Sequence, residues 1–296
     1  MVDALDGAAL VELHAAPAVR AFLARGVRAP IADDPAAVLL ALVGLDAGSG
    51  RAALARFGAG LDAESCWSDV ELLHLAPTLD SVRLQRLGTS LTVADHDALL
   101  GTLAARLTEE GALLDVARRQ VRWSRALALR DPHPAKLDGG DAREVLEAHR
   151  TDRDHLRLAL ELQMLLHRHP LNESRAARGA LTANAPWFHG TGFLPATLEP
   201  RFGATRGSDP LLAGLARRMG VPHDATAHAS GPGLVRCAAP LAPALASAAL
   251  AALGAGAISN ACLHLPPLGA WRLGRGARWR FWRRTPSLAA LLAEEA

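Results

Sequence analysis

The sequence has little cysteine and little net charge, and both shortages exclude classes of protein. Its three cysteines, Cys66, Cys237 and Cys262, are odd in number and far apart among 296 residues. They predict neither a disulfide framework nor a Cys-x-x-Cys metal site, so a reducing cytoplasm is the expected location. A net charge of +2, with acidic and basic residues interleaved, provides no broad basic field. The composition therefore argues against nucleic acid as a partner.

Targeting and membrane signals are also missing. The first twelve positions carry three acidic residues and no basic region ahead of an apolar core, which is unlike a signal peptide. The stretch 237–271 has no Asp, Glu, Lys or Arg, but its alanine-rich part follows Pro243 and breaks at Gly254. Alanine contributes little to membrane insertion, so we predict a buried helix here and no membrane partner.

Half of the residues are hydrophobic and 21% are charged, which is typical of a globular protein that buries a core. Alternating strand and helix patterns predict an α/β fold, with a mixed or mostly parallel sheet flanked by helices and a smaller α+β N-terminal part. The turn-rich stretch 131–142 suggests a boundary. We therefore predict two subdomains, 1–140 and 141–296. The second carries the motif described below.

The predicted elements follow from hydrophobic period and capping residues. Thr92 and Asp95 form a capping-box pattern at the start of one helix, and Gly111 is its expected end. Interleaved Trp and Arg near the C-terminus predict an edge strand, with nucleic acid or an acidic partner as the alternative. The predicted strands are 66–77, 113–127, 185–193, 257–265 and 276–284, and the main helices are 90–111, 142–169 with a break near 151, 208–222, 243–254 and 287–295.

One stretch, residues 162–192, concentrates residues with specific chemistry. A helix runs into His-Pro, two arginines follow three residues apart, and an apolar strand ends in Gly-Thr-Gly. Paired guanidinium groups, amides and a glycine-flanked threonine can hold a phosphate or carboxylate. The candidate ligand-binding residues are His169, Asn172, Arg175, Arg178, Asn184, His189 and Thr191.

A purely structural interpretation of the same residues is also open. Arg175 and Arg178 can be solvated or pair with Glu173, and the asparagines can form Asx turns. His169 can cap a helix end. Spacing alone does not decide between these interpretations and the anion site.

The 162–192 pattern resembles a segment of the archaeal-type cofactor-independent phosphoglycerate mutases of the alkaline phosphatase superfamily. It is also similar to proteins called RpfE-type regulatory proteins, through an apolar helix end, His-Pro-x-Asn, an arginine, a glycine, Asn-x-x-Trp and Gly-Thr-Gly. Weaker matches, such as Cys66-Trp67 and Trp123, extend the resemblance over about residues 60–285. The resemblance implies an α/β fold and a phosphate-binding surface.

The chain departs from that family at the metal ligands. The family's enzymes hold two divalent metals with Asp and His, whereas this chain opens with alanine-rich segments and no Asp-Gly strand. Asp224-x-x-x-His228 fits one later piece by spacing, but no Asp-His pair follows it. We therefore predict no metal and no cofactor, and the catalytic residues are unknown.

Three hypotheses about function remain. The first is a non-catalytic or regulatory relative of phosphoglycerate mutase that keeps an anion pocket. The second is an enzyme of phosphomutase or phosphatase type acting on a phosphorylated small molecule. The third is a purely structural interaction module.

Overall fold

The computed structural model describes residues 7–29, 34–46, 49–125, 131–149, 152–228, 232–265, 268–280 and 282–293. They form two compact units. The central unit lies within residues 46–195, and the terminal unit combines residues of 1–45 and 196–296. The boundary predicted at residue 140 falls inside the central unit, because strands on both sides of it belong to one sheet.

Helices and strands alternate along much of the chain. The helices are α1 (Gly7–Ala15), α2 (Pro17–Arg25), α3 (Pro35–Leu42), α4 (Arg51–Gly58), α5 (Val93–Glu109), α6 (Arg143–His149), α7 (Arg153–His167), α8 (Pro170–Ala177), α9 (Pro210–Met219), α10 (Ala242–Gly254) and α11 (Leu288–Ala293). The strands are β1 (Val27–Ala29), β2 (Cys66–Pro77), β3 (Val82–Arg86), β4 (Leu113–Asp115), β5 (Gln120–Trp123), β6 (Ala185–Gly192), β7 (Thr205–Arg206), β8 (His223–Asp224), β9 (Leu234–Val235), β10 (Asn260–Leu265) and β11 (Gly269–Gly274).

The central unit is built on the long strand β2. Along one edge of β2, β3 pairs with its C-terminal half and β5 with its N-terminal half, and β4 follows β5. β6 pairs with the other edge. All of these pairings are antiparallel.

The two faces of β2 have different neighbours, because successive side chains on a strand point to opposite faces. Cys66, Val70 and Leu72 belong to the main core of the unit, which also contains the apolar stripes of α5 and α7. On the other face, Trp67 and Leu73 belong to two smaller apolar clusters. The residues between them on that face are polar, and they become part of the site described below.

The helix signals in this unit are confirmed. The side chain of Thr92 accepts a hydrogen bond from the Asp95 N–H, and Asp95 returns one to the Thr92 N–H. Gly111 has φ of +71° just after α5. The helix predicted over 142–169 forms as α6 and α7, and Asp152 caps the start of α7. Residues 150 and 151 of the expected break lie outside the described ranges.

The terminal unit contains two small sheets. β1, β11 and β10 form an antiparallel sheet whose core includes apolar residues of α2 and α10. β8, β7 and β9 form a parallel sheet of two-residue strands. The α/β class is thus confirmed, but the predicted mixed or mostly parallel sheet is matched only in part. Among the strands that the structure describes, parallel pairing is confined to β7, β8 and β9.

The strand predicted over 276–284 is wrong in the described part of that segment. Residues Arg275–Trp279 form a 3-10 helix, and Trp279 and Trp282 are 63% and 67% exposed. The strand lies earlier, as β11, and its last residue Gly274 pairs with Asn260, the first residue of β10. Beyond that pair β10 offers no backbone to extend the ladder.

No single helix in the described ranges is long and apolar enough to cross a membrane. Within these ranges, α1 and α2 reach that length and composition when taken together, and they are bent by 84° relative to each other.

Candidate functional site

The central unit contains a polar cavity of about 370 Å³ over the middle of β2. Its lining comes from β2, β3, β6, α5 and the segments around them. The lining residues are Arg51, Asp69, Val70, Glu71, Leu72, Arg86, Gly88, His96, Arg118, Arg119, His133 and His189.

The pairing of β2 with β6 positions the cavity floor. Asp69 lies opposite His189, so both side chains project from the same face of the sheet. Between the Trp67–Gly192 and Asp69–His189 pairs, β6 has one residue more than β2, which is a β-bulge. Gly190 in this bulge has φ of +62°. A Cβ at Gly190 would lie 3.1 Å from the Arg51 Cβ and 3.2 Å from Asp69 Oδ2. The glycine therefore allows Arg51 and Asp69 to approach the strand.

Both carboxylates of the cavity are paired with arginine. Arg51 Nε lies 3.5 Å from Asp69 Oδ2, and the Gln120 side-chain amide donates to Asp69 Oδ1 at 2.9 Å. Arg86 donates to both oxygens of Glu71, with Nε–Oε1 and Nη2–Oε2 distances of 2.7 and 3.3 Å. These contacts fix the carboxylates against the floor.

Two histidines lie together beside Glu71. The rings of His133 and His189 pack edge to face with their centroids 4.7 Å apart. One ligand atom from each of Glu71, His133 and His189 lies within 4.8 Å of the other two. His189 is 4% exposed, and its buried Nδ1 has no hydrogen-bond partner in the part of the chain that the structure describes. Burial, and then the nearby Arg51, hold the pKa of His189 well below its usual value, so the ring is neutral at neutral pH.

Arg118 and Arg119 lie at the rim, in the turn between β4 and β5. Among the described residues, neither guanidinium has a hydrogen-bond or ion-pair partner. The backbone of Arg119 has φ of +55°, unlike the other non-glycine residues that the structure describes. Its carbonyl accepts a hydrogen bond from the Val70 N–H of β2 at 2.8 Å, which holds the turn against the strand. Positive φ disfavours a residue with a Cβ, so this conformation is costly.

The electrostatic balance of the cavity is positive. Four arginines and two carboxylates line it, which gives a net charge of +2 if the histidines are neutral. His96 of α5 is buried, and no described residue forms a hydrogen bond with its Nδ1. Burial, and then Arg119, lower the pKa of His96. The site therefore combines unpaired positive groups with neutral imidazoles.

Of the residues predicted to bind a ligand, His189 alone is part of this lining. Asn172 is 2% exposed and is fully occupied by backbone groups. Its Nδ2 donates to the Leu166 and Ala183 carbonyls at 2.8 Å, and its Oδ1 accepts from the Ala183 N–H at 2.9 Å. Asn184 similarly exchanges two hydrogen bonds with the backbone of Leu75.

The two arginines of the motif diverge. Arg175 is buried and donates to the carbonyls of Leu181 and Ser90, both at 2.8 Å. Ser90 ends the 3-10 turn Gly88–Ser90, and Gly88 lines the cavity. Arg175 therefore stabilises a turn that forms part of the cavity wall. Arg178 is exposed and donates to the Ser174 carbonyl.

The remaining two residues also make internal contacts. His169 is the N-cap of α8, and its Nδ1 accepts from the Leu171 N–H at 3.1 Å. Thr191 is buried, and its hydroxyl lies 2.6 Å from the Ser68 hydroxyl. Contact of these motif residues with an anion stays a prediction. In the structure, the side chains of these residues form hydrogen bonds with other residues of the protein.

The other lining residues belong to no motif that the sequence predicts as a binding site. Arg51, Arg86 and Arg119 come from separate elements, and arginine is common throughout the chain. One signal was present, because Asp69 and Glu71 are two residues apart on a predicted strand. That spacing places two carboxylates on one face of the strand, between the apolar residues Trp67 and Leu73.

Comparison with known proteins gives distant similarities. No family model matches the chain, and no curated protein matches it. The PH0037 protein from Pyrococcus horikoshii is 15% identical, with a TM-score of 0.40, and the match covers 75% of this chain and 62% of that one. A cofactor-independent phosphoglycerate mutase from Thermoplasma acidophilum is 16% identical, with a TM-score of 0.38 and coverage of 93% and 86%.

This chain thus spans about three fifths of the length of the PH0037 protein. At these TM-scores, neither solved structure assigns the chain to a family.

Proposed function

We propose that the central unit binds a small anionic metabolite, a phosphate ester or a carboxylate, in the cavity over β2. In this proposal the protein is a non-catalytic or regulatory cytoplasmic relative of the phosphoglycerate mutases. The resemblance of residues 162–192 to those enzymes supports the ligand class. In this proposal the anion binds in the cavity over β2 and not at the side chains of the 162–192 motif.

The observation that carries the proposal is the pair Arg118 and Arg119. Both guanidinium groups lie at a cavity of positive net charge, with no acceptor among the described residues. A planar guanidinium binds phosphate or carboxylate through two parallel hydrogen bonds. The positive φ of Arg119 adds support, because strained backbone is concentrated at functional sites.

The size and polarity of the cavity restrict the ligand. A volume of about 370 Å³ lies at the lower end of the range of small-molecule sites. Arg51 and Arg86 are already paired with Asp69 and Glu71, so they shape the floor. A compact anion that engages the rim arginines fits this arrangement.

A calorimetric titration with inorganic phosphate and with 3-phosphoglycerate tests the proposal. Arg119→Gly removes the guanidinium and accepts the positive φ, so it should weaken binding about tenfold or more. Arg178→Gly removes one exposed positive charge outside the cavity and is the matched control. Unchanged affinity in Arg119→Gly, or equal loss in both variants, would refute the proposed site.

The second candidate is an enzyme acting on a phosphorylated small molecule. The neutral rings of His96 and His189 favour it, because each has a nitrogen without a partner beside the cavity and a neutral imidazole can accept a proton. A phosphate-ester turnover assay, with and without added Mn²⁺ or Zn²⁺, separates the candidates. Turnover that is lost in Arg119→Gly and kept in Arg178→Gly would establish the enzyme.

A further inference from the structure

We propose that Glu71, His133 and His189 form a binding site for one divalent transition-metal ion, with Zn²⁺ the best fit. The inference does not depend on anion binding, since it concerns a different set of side chains on the cavity floor. It departs from the sequence-based expectation of no metal, which rested on the absence of the ligand pattern of the mutases.

The donor set matches the chemistry of zinc. Two imidazoles and one carboxylate are a recurrent set of three protein ligands that leaves a fourth position open to water or a ligand. The three donor atoms lie within 4.8 Å of one another. Around a tetrahedral zinc ion, ligand atoms are about 3.4 Å apart, so the side chains must close in by about an ångström. Glu71 and its partner Arg86 both have long side chains with the rotatable bonds to move together by this distance.

His189 provides the second, independent observation. It is 4% exposed, it lines the cavity, and its buried Nδ1 has no hydrogen-bond partner. Buried polar atoms are nearly always satisfied, because an unpaired one costs free energy. A metal ion coordinated through Nδ1 would supply the partner that no described residue gives this atom.

The surroundings supply outer partners for the ligands. Arg86 holds both oxygens of Glu71, and such hydrogen bonds commonly orient ligating carboxylates. His133 Nδ1 accepts from the Ala135 N–H at 3.2 Å. Coordination through Nε2 would move the ring proton to Nδ1 and give up that long contact. This cost and the nearby arginines argue for moderate affinity, below that of closed structural zinc sites.

Metal titration of chelator-treated protein in phosphate-free buffer tests the site. Zn²⁺ binding is measured by calorimetry, and Co²⁺ is added as a spectroscopic probe of coordination. We expect one ion per chain and a visible Co²⁺ spectrum typical of low coordination number. Glu71→Gln and His189→Gln should each weaken binding at least tenfold. The matched control is His228→Gln, since His228 belongs to the exposed Asp224–His228 pair that the sequence suggested as a metal ligand.

Two ligand variants are used so that the test holds even if one of them does not fold. Circular dichroism shows whether buried His189→Gln folds, and Glu71→Gln, at a side chain that is 20% exposed, decides the matter if it does not. Loss of binding in Glu71→Gln with retention in His228→Gln supports the site. No stoichiometric binding by the parent, or equal affinity in Glu71→Gln and the parent, would overturn it. Because no anion is present, failure here leaves the phosphate titration unaffected.

Discussion

Replacing Asn172 with alanine should destabilise the central unit without changing the affinity for an anion. Asn172 is buried, and it joins α8 to the segment that leads into β6. Its amide makes both backbone hydrogen bonds of Ala183 as well as one to Leu166. Asn172, which the motif suggested as a ligand-binding residue, therefore holds the backbone before β6 against α8.

The magnitude follows from the groups that lose a partner. Leu166 O still accepts from the His169 N–H, so it loses little. The Ala183 N–H is left buried and unpaired, which costs about 1–3 kcal/mol, and weakening its carbonyl bond adds about 1 kcal/mol. The expected loss is about 2–4 kcal/mol of the free energy of unfolding.

Urea unfolding followed by circular dichroism measures this loss, and the midpoint should fall with little change in slope. Arg178→Ala, on the exposed side of the same motif, should change stability by less than about 0.5 kcal/mol. Phosphate affinity of folded Asn172→Ala should equal that of the parent. A stable variant that has lost phosphate binding would refute this reasoning, because it would place the Asn172 amide on the ligand.

Three further predictions concern other elements. Arg119→Gly should be as stable as the parent or up to about 1 kcal/mol more stable in urea unfolding, since glycine accepts positive φ at little cost, while binding phosphate less tightly; a clear loss of stability would contradict this. Burial lowers the pKa of His264 to about 4, so this histidine folds in its neutral form. The free energy of unfolding has its full value above the unfolded pKa of about 6.5, and it falls by about 3 kcal/mol as pH drops to about 4, because the unfolded chain then binds the proton. His264→Gln should flatten that part of the stability–pH curve. An unchanged curve would show that burial does not shift the pKa of His264. Thr92→Ala should cost about 1 kcal/mol in thermal or urea unfolding by removing the capping box with Asp95, and no change would mean that water replaces it.

Elements whose signal is local were predictable. Residues a few positions apart determine the cap at Thr92, the end of α5 at Gly111 and the start of α7 at Asp152. The strand expected at 276–284 failed because a strand needs a neighbour. The partner strand β10 begins at Asn260, opposite Gly274, and a Trp/Arg alternation cannot reveal that.

The site was predictable only in part, for a related reason. An asparagine or arginine can hold a backbone carbonyl as well as a ligand, and Asn172 and Arg175 contain no local sign of which they do. The cavity arginines come from distant segments, so only the pairing of β2 with β6 and the β4–β5 turn brings them together. His189 was selected within the motif, but its neighbours Glu71 and His133 required the fold.

The most direct test of the account is calorimetric titration of 3-phosphoglycerate into the parent, Arg119→Gly and Arg178→Gly. If Arg118 and Arg119 hold the anion, we expect saturable binding by the parent, at least tenfold weaker binding by Arg119→Gly and unchanged binding by Arg178→Gly. Full affinity in Arg119→Gly together with loss in Arg178→Gly would contradict it and return the anion site to the His-Pro motif.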